Sequence, residues 1–267
     1  MARSALLNVM VAAALKAGRG LTRDFGEVEN LQVSLKGPGN FVSAADRRAE
    51  EVLVRELEKA RPGYEFLTEE TGAIAGTDKT NRWHIDPLDG TTNFLHGIPL
   101  FAVSIALERE GVLVAGVIYN PVLNELYVAE RGNGAFLNDK RLRVANRRKM
   151  ADAVIATGSP HMGKDGHGQF LAEMGTIMGA TAGIRRCGSA ALDLAWVASG
   201  RFDGFWERGL QPWDMAAGIV IVREAGGRVT GAGGKDDMLT TGAVVAGNET
   251  IHAALLDGLA ASRAAAD

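Results

Sequence analysis

The sequence predicts a mixed α/β fold, with an antiparallel sheet in the N-terminal half and a mixed sheet in the C-terminal half. Two observations carry this. Between residues 101 and 137 short apolar runs are separated by Gly, Asn and Pro, the pattern of a β-meander. From Ala151 onward strand-like and helix-like stretches alternate, which favours parallel or mixed pairing. With no linker or low-complexity tract, the chain reads as one domain of two halves, about 1–149 and 150–267.

Taken in order, Arg3 precedes an apolar stretch, Ala5 to Leu15, that imitates a signal peptide. Asn8 interrupts it, and no small-residue cleavage site follows before Lys16 and Arg19. Leu6, Val9, Met10 and Ala13 recur at helical spacing, so an amphipathic first helix is expected. Lys36-Gly37-Pro38-Gly39-Asn40 reads as a loop. Ser43 caps a second helix, with Asp46 completing a variant capping box and Val52, Leu53 and Leu57 forming its stripe. Tyr64 to Leu67 reads as a brief strand, and the Gly/Thr/Asp-rich segment Gly72 to Asn81 as a mobile loop.

The meander strands are Phe101–Leu107, Val112–Tyr119, Glu125–Ala129 and Ala135–Leu137, with Asn138-Asp139 as a hairpin turn. Strands are then expected at Val154–Thr157, Gly183–Cys187, Phe202–Glu207 and Ala243–Ala246. Helices are expected at Gly168–Met178, Ser189–Ser199, Pro212–Ala225 and Glu249–Ala260, with a frayed tail after Ser262.

Composition excludes several classes. Apolar residues make up 46% and charged residues 23%, the balance of an ordinary soluble protein. A net charge of −3 argues against a general nucleic-acid binder. No apolar run approaches the length of a membrane span. The single Cys187 excludes an internal disulfide and fits a reducing, cytoplasmic compartment. Six of the ten residues from Lys140 to Lys149 are basic, either a solvated hairpin edge or a surface for an anionic partner. His161 and His167 lack the spacing of a zinc site and are expected to face solvent.

The chemistry concentrates in Trp83-His84-Ile85-Asp86-Pro87-Leu88-Asp89-Gly90-Thr91-Thr92-Asn93-Phe94. A buried strand stops at Pro87 with a carboxylate on either side. Gly90 allows close backbone approach, and the two threonines open a helix. Such a strand end offers hard oxygen ligands to divalent cations, and the helix start offers N–H groups to a phosphate. The plainer alternative is a D-G turn after an Asp-Pro break. Glu69-Glu70 likewise follow an apolar run, as ligands or as surface charge. Asp214 falls in the first turn of a helix, where the dipole favours an acid without any function. Its neighbours Ala216, Ala217 and Gly218 allow tight packing, and a carboxylate buried there needs a cation or hydrogen-bond partner. Lys36 is a solvated loop lysine or a cation near an anion site.

Glu69-Glu70, the Asp86-to-Phe94 run, and Trp213-Asp214-Met215-Ala216-Ala217-Gly218 with Glu224-Ala225-Gly226-Gly227 resemble the inositol monophosphatase family over nearly the whole chain. Arg185-Arg186-Cys187-Gly188-Ser189-Ala190-Ala191-Leu192-Asp193-Leu194 is similar to its bacterial SuhB-type branch. The resemblance implies a layered αβαβα sandwich of the sugar-phosphatase type, a homodimer, two or three Mg²⁺ per site, and sensitivity to Li⁺. It implies a phosphatase domain hydrolysing inositol 1-phosphate or a similar polyol phosphate. Glu69, Asp86 and the Leu88 carbonyl would hold one Mg²⁺, and Asp86, Asp89 and Asp214 a second.

By the same resemblance, Gly90 and Thr91 donate N–H groups to phosphate, while Thr91 and Glu69 position and deprotonate the attacking water beside Asp89. Gly188, Ser189, Ala190, Glu207 and Asp214 would meet the substrate, with Arg185 as a substrate-side arginine and Lys36 near the site. Cys187 departs from the small polar residue expected of the branch. Related enzymes act on fructose 1,6-bisphosphate, 3′-phosphonucleotides, NADP or histidinol phosphate, which keeps those substrates open. A regulatory role on the transcription machinery, with Lys140–Lys149 as contact surface, is the alternative of another class. The residues themselves add two points. No Cys or Ser nucleophile with a paired His is evident, so water attacks directly. Glu207 suits polyol hydroxyls better than a nucleotide.

Overall fold

The computed structural model describes residues 3–27, 33–37 and 40–264, with backbone alone for 33–37, 40–42 and 263–264. Helix α1 (Ala5–Phe25) begins where the Ser4 hydroxyl accepts the Leu7 N–H at 3.1 Å. Its buried face holds Leu7, Met10, Val11, Ala13, Ala14 and Leu21, so Met10 and Ala13 are buried as expected while Leu6 and Val9 are half-buried at its margin. The segment around Lys36, expected as a loop, is a hairpin of β1 (Val33–Gly37) and β2 (Asn40–Ser43). Pro38 and Gly39 lie outside the described residues. Helix α2 (Ala44–Ala60) starts at the expected capping box: Asp46 Oδ2 accepts the Ser43 N–H at 2.8 Å, and Ser43 Oγ accepts the Asp46 N–H.

The first sheet contains β3 (Tyr64–Thr68), β4 (Gly72–Ile74), β5 (Asp78–Asp89), β6 (Ala102–Arg109), β7 (Val112–Asn120), β8 (Glu125–Glu130), β9 (Gly134–Leu137) and β10 (Lys140–Arg141). The short helix α3 (Thr91–Leu95) follows β5. Strand order is β10-β9-β8-β7-β6-β5-β3-β4. All pairs are antiparallel except β3 with β5, which makes the sheet mixed by one pair. The cause is the segment expected to be a mobile loop. Gly72, at φ 81°, turns the chain back as β4, and a second reversal leaves β5 running in the direction of β3. Asn138 and Asp139 both take positive φ, 44° and 66°, as the tight hairpin into β10 requires.

The second sheet contains β11 (Val154–Thr157), β12 (Gly183–Arg185), β13 (Gly204–Glu207), β14 (Arg228–Thr230) and β15 (Val244–Gly247), in the order β12-β11-β13-β15-β14. β11 pairs in parallel with β12 and β13, and β15 antiparallel with β13 and β14. Its helices are α4 (His167–Met178), α5 (Ala190–Ala198), α6 (Pro212–Glu224), α7 (Met238–Thr241) and α8 (Glu249–Ala264). Ser262 is buried and α8 continues to Ala264, while the rest of the tail expected to fray, residues 265–267, lies outside the described residues.

Five layers result. α1 and α2 cover the outer face of the first sheet, α5 and α6 lie between the sheets, and α4 and α8 cover the second. Each interface has its own apolar core: Leu7, Leu53, Trp83 and Val117; Leu192, Phe205, Ala217 and Ile219; Ile177, Trp206, Ile251 and Leu255. The middle layer sits close. A β-carbon on Gly116 of β7 would lie 2.6 Å from the Ala217 carbonyl oxygen of α6. At its far end α6 is tied to the first sheet by Glu224, whose two oxygens accept the Gly132 and Gly134 N–H groups at 2.8 and 2.7 Å. The basic run is exposed along the edge strand β10 and then crosses to the second sheet, where Arg147 meets the buried Asp203 carboxylate at 2.6 Å.

Candidate active site

β5 carries Asp86 to the sheet end, and its ladder with β6 skips between Asp86 and Asp89, where Pro87 and Leu88 intervene. Asp86 is 2% exposed and its Oδ1 accepts the Leu88 N–H at 2.9 Å, folding the chain over. Gly90 then takes φ 99°, with the Leu100 and Gly188 carbonyls so near that a β-carbon would lie 2.9 and 3.3 Å from them. A left-handed conformation with no room for a side chain leaves only glycine. Thr91 opens α3 immediately after.

The middle-layer helices bring the rest. Ser189 caps α5 and donates its hydroxyl to Asp89 Oδ2 at 2.6 Å, while the Ala191 N–H donates to the same oxygen at 2.7 Å. Asp214 sits in the first turn of α6, where its Oδ2 accepts the Gln211 N–H at 2.7 Å. Glu69 leaves the end of β3 with its N–H on the Ile85 carbonyl of β5 at 3.2 Å. Glu207 ends β13 beside Gly158, where any side chain would collide with the Glu207 carboxylate.

A cavity of about 180 Å³ collects Glu69, Asp86, Leu88, Asp89, Gly90 and Thr91 from one half and Gly188, Ser189, Ala190, Glu207 and Asp214 from the other. One expected residue is not brought in. Arg185 is exposed, turns its guanidinium onto the Ile184 carbonyl, and does not line the cavity. Its neighbour Arg186 does, because successive residues leaving a strand point to opposite sides. Lys36 lies on β1, with its side chain outside the described residues. His161, expected to face solvent, is half-buried and lines the cavity, whereas His167 is exposed.

Burial and mutual repulsion govern the carboxylates of the cavity. Burial pushes Asp86 well above the usual carboxylate range, and repulsion from Glu69, Asp89 and Asp214 adds to it. Burial raises Asp214 likewise, with Asp89 as the next contributor. Burial raises Asp89 to about 6 against the hydrogen bonds from Ser189 and Ala191. Glu207 is raised by burial and then by repulsion from Asp193, which is itself buried beside the Cys187 thiol. Four carboxylates and the Leu88 carbonyl form an all-oxygen donor set that fits a hard divalent cation. Among the described residues, no three acidic, His or Cys side chains are gathered tightly enough to hold an ion as they stand. Asp86, Asp89 and Asp214 each engage main-chain N–H groups instead.

Sequence reasoning missed the support beneath this cavity. Thr91 Oγ1 lies 3.0 Å from Asp46 Oδ1 and 3.2 Å from the Leu88 carbonyl, so its single proton has two acceptors. Asp46 is fully buried and raised by burial against the hydrogen bonds from Ser43. One turn on, Glu50 accepts the Glu70 N–H at 2.9 Å and the Thr71 hydroxyl at 2.5 Å, fixing the turn that follows Glu69. The capping box pointed to Asp46, but only to the oxygen that serves the helix.

Residues 2–265 match the inositol monophosphatase family. The chain is 67% identical over 256 residues to the inositol-1-monophosphatase of Mesorhizobium japonicum, covering 96% of each. It is 44% identical over 251 residues to Nus factor SuhB of Escherichia coli, covering 94% of each. The crystal structure of the extragenic suppressor protein SuhB from Bartonella henselae matches with a TM-score of 0.94 and 60% identity, over 96% of this chain and 98% of that one. Divalent-metal use accompanies this family. With near-complete coverage and a shared layered architecture, the chain belongs to the inositol monophosphatase family and is a phosphatase.

Proposed function

We infer that this chain hydrolyses inositol 1-phosphate or a similar polyol phosphate by direct attack of water. The observation that carries the reading is the convergence of Glu69, Asp86, Asp89 and Asp214 with the Gly90–Thr91 main chain and Glu207 around one small cavity. Glu69, Asp86, the Leu88 carbonyl, Asp89 and Asp214 would hold two or three Mg²⁺ per site, which would supply Lewis acidity toward the phosphoryl oxygens and the departing alkoxide. The Gly90 and Thr91 N–H groups, at the start of α3, hold the phosphate. Thr91 and Glu69 orient the water, and its proton passes through the Thr91 hydroxyl to Asp46. The water oxygen bonds to phosphorus, the ester P–O bond breaks, and the alkoxide takes a proton from solvent. Glu207, with Gly188, Ser189 and Ala190, receives the polyol hydroxyls.

Neither nearby nucleophile competes with water. Burial and the adjacent Asp193 push the Cys187 thiol up to about 12, leaving it protonated. The Ser189 hydroxyl is committed to Asp89. A phosphate-release assay over inositol 1-phosphate, fructose 1,6-bisphosphate, a 3′-phosphonucleotide, NADP and histidinol phosphate, with and without Mg²⁺, tests the substrate. Inositol 1-phosphate is expected to lead, with millimolar Li⁺ inhibiting. Wild-type activity in Asp214→Asn would overturn the site.

The enzyme acts as a cytoplasmic homodimer. Its one thiol is free, and no described helix is long and apolar enough to cross a membrane. Light scattering returning a monomer would refute the dimer. A second reading follows from the exposed Lys140–Lys149 edge and from relatives named Nus factor SuhB. In it the chain also binds the transcription machinery. Co-purification with RNA polymerase that persists in Asp89→Asn and is lost on reversing the charges of Arg143 and Arg148 would support it.

A further inference from the structure

The catalytic cavity opens into a larger one of about 630 Å³, and the two share Glu69, Glu207 and Asp214 at their junction. The larger volume falls in the range of roughly 300–1,000 Å³ that ligand pockets occupy. Its walls beyond the junction come from α4, the loop before it, and the segment joining β13 to α6. The charged residues there cancel: Lys164 and Arg208 against Asp165 and Glu173. Arg208 is moreover spent on Glu173, which is 1% exposed, at 2.8 Å. No surplus of cations awaits a second phosphate or a nucleotide. What remains is apolar ring surface from the half-buried Phe170 and Trp213, the amide of Gln211, and the amide oxygen of Gln169, whose nitrogen donates to Glu173 at 3.0 Å. Ring faces for carbon–hydrogen surfaces and amides for hydroxyls suit a sugar.

We propose that this compartment is a second substrate subsite, taking a neutral hydroxylated ring joined to the phosphorylated polyol, so that glycosyl-polyol phosphates are substrates. The proposal rests on the polyol-phosphatase reading, because Glu207 at the junction then marks the alcohol side of the scissile ester. The hydrolytic step is unchanged: water attacks phosphorus and the glycosyl-polyol leaves.

The test compares phosphate release from inositol 1-phosphate and from galactosyl-inositol 1-phosphate by wild type and by Gln169→Trp, which fills the compartment from the exposed start of α4. Wild type is expected to cleave both. Gln169→Trp should lower kcat/KM for the galactosyl substrate about tenfold or more, with inositol 1-phosphate changed less than about twofold. Calorimetry with galactosyl-inositol and inositol, neither carrying phosphate, reads the subsite apart from turnover. Tighter binding of galactosyl-inositol, lost in Gln169→Trp, supports the subsite even if inositol 1-phosphate is not cleaved, a result that would count against the catalytic reading alone. Equal affinities for the two, an equal effect of Gln169→Trp on both substrates, or preferred cleavage of a 3′-phosphonucleotide would overturn it. A thermal melt of Gln169→Trp matching wild type excludes misfolding as the cause.

Discussion

Asp46 serves two structures with one carboxylate: Oδ2 closes the capping box of α2, and Oδ1 meets the Thr91 hydroxyl. The two duties separate by substitution. Asp46→Asn retains a hydrogen-bonding side chain at the cap and removes the proton acceptor, so kcat should fall by about 10² or more while the melting temperature barely moves. Asp46→Ala should add a loss of about 1 kcal/mol. A second prediction concerns pH. Asp89 is raised from 3.8 to about 6 in the folded state, so it favours folding most below its ordinary value and loses that contribution as pH rises through 6. Metal-free protein should therefore lose on the order of 3 kcal/mol from this group between those limits, and Asp89→Asn should flatten the profile. Added Mg²⁺ should raise the melting temperature more at about pH 8 than at about pH 5, since only the ionised carboxylates bind it. Denaturant titrations across pH check both. Residue types and caps were legible at this scale, because Ser43 with Asp46 and Gly90 after Asp89 are local signals. The Asp46–Thr91 contact was not, since it joins positions whose approach depends on how α2 lies on the sheet.

At the scale of elements, α6 rests on β7 through Gly116 and on α5 through Gly218, where a β-carbon would lie 2.5 Å from Leu194 Cδ1. Gly116→Ala should cost about 1–3 kcal/mol, as overpacked interiors do. By lifting the helix that carries Asp214, it should also lower kcat. A urea titration with an activity assay reads the two effects together. Glu50→Ala should weaken Mg²⁺ binding through the loosened 69–71 turn, seen as a higher Mg²⁺ requirement with KM for substrate little changed. The meander strands and the helices of the second half were legible from periodicity and breaks. β4 was not, because Gly72 to Asn81 has the composition of a loop while its backbone pairs with β3. The parallel β3–β5 pair was equally hidden, being set by the number of chain reversals and not by residue type.

Over the whole molecule, α5 and α6 pack against both sheets, so neither half has a complete core without them. A single calorimetric transition is expected, with equal calorimetric and van't Hoff enthalpies; two transitions would show independent halves. The acids of the site were visible one by one along the chain, but their meeting rested on family likeness. That Arg186, and not the expected Arg185, lines the cavity is a one-residue alternation that only the fold resolves. One consequence remains in α6, thirteen residues and so about 20 Å long. Asp214 stands at one end in the cavity, and Glu224 at the other grips the turn around the exposed Asn133. Since the native thiol is too basic for facile alkylation, a fluorophore on Asn133→Cys would attach selectively and report occupancy from a distance, leaving the chemistry untouched.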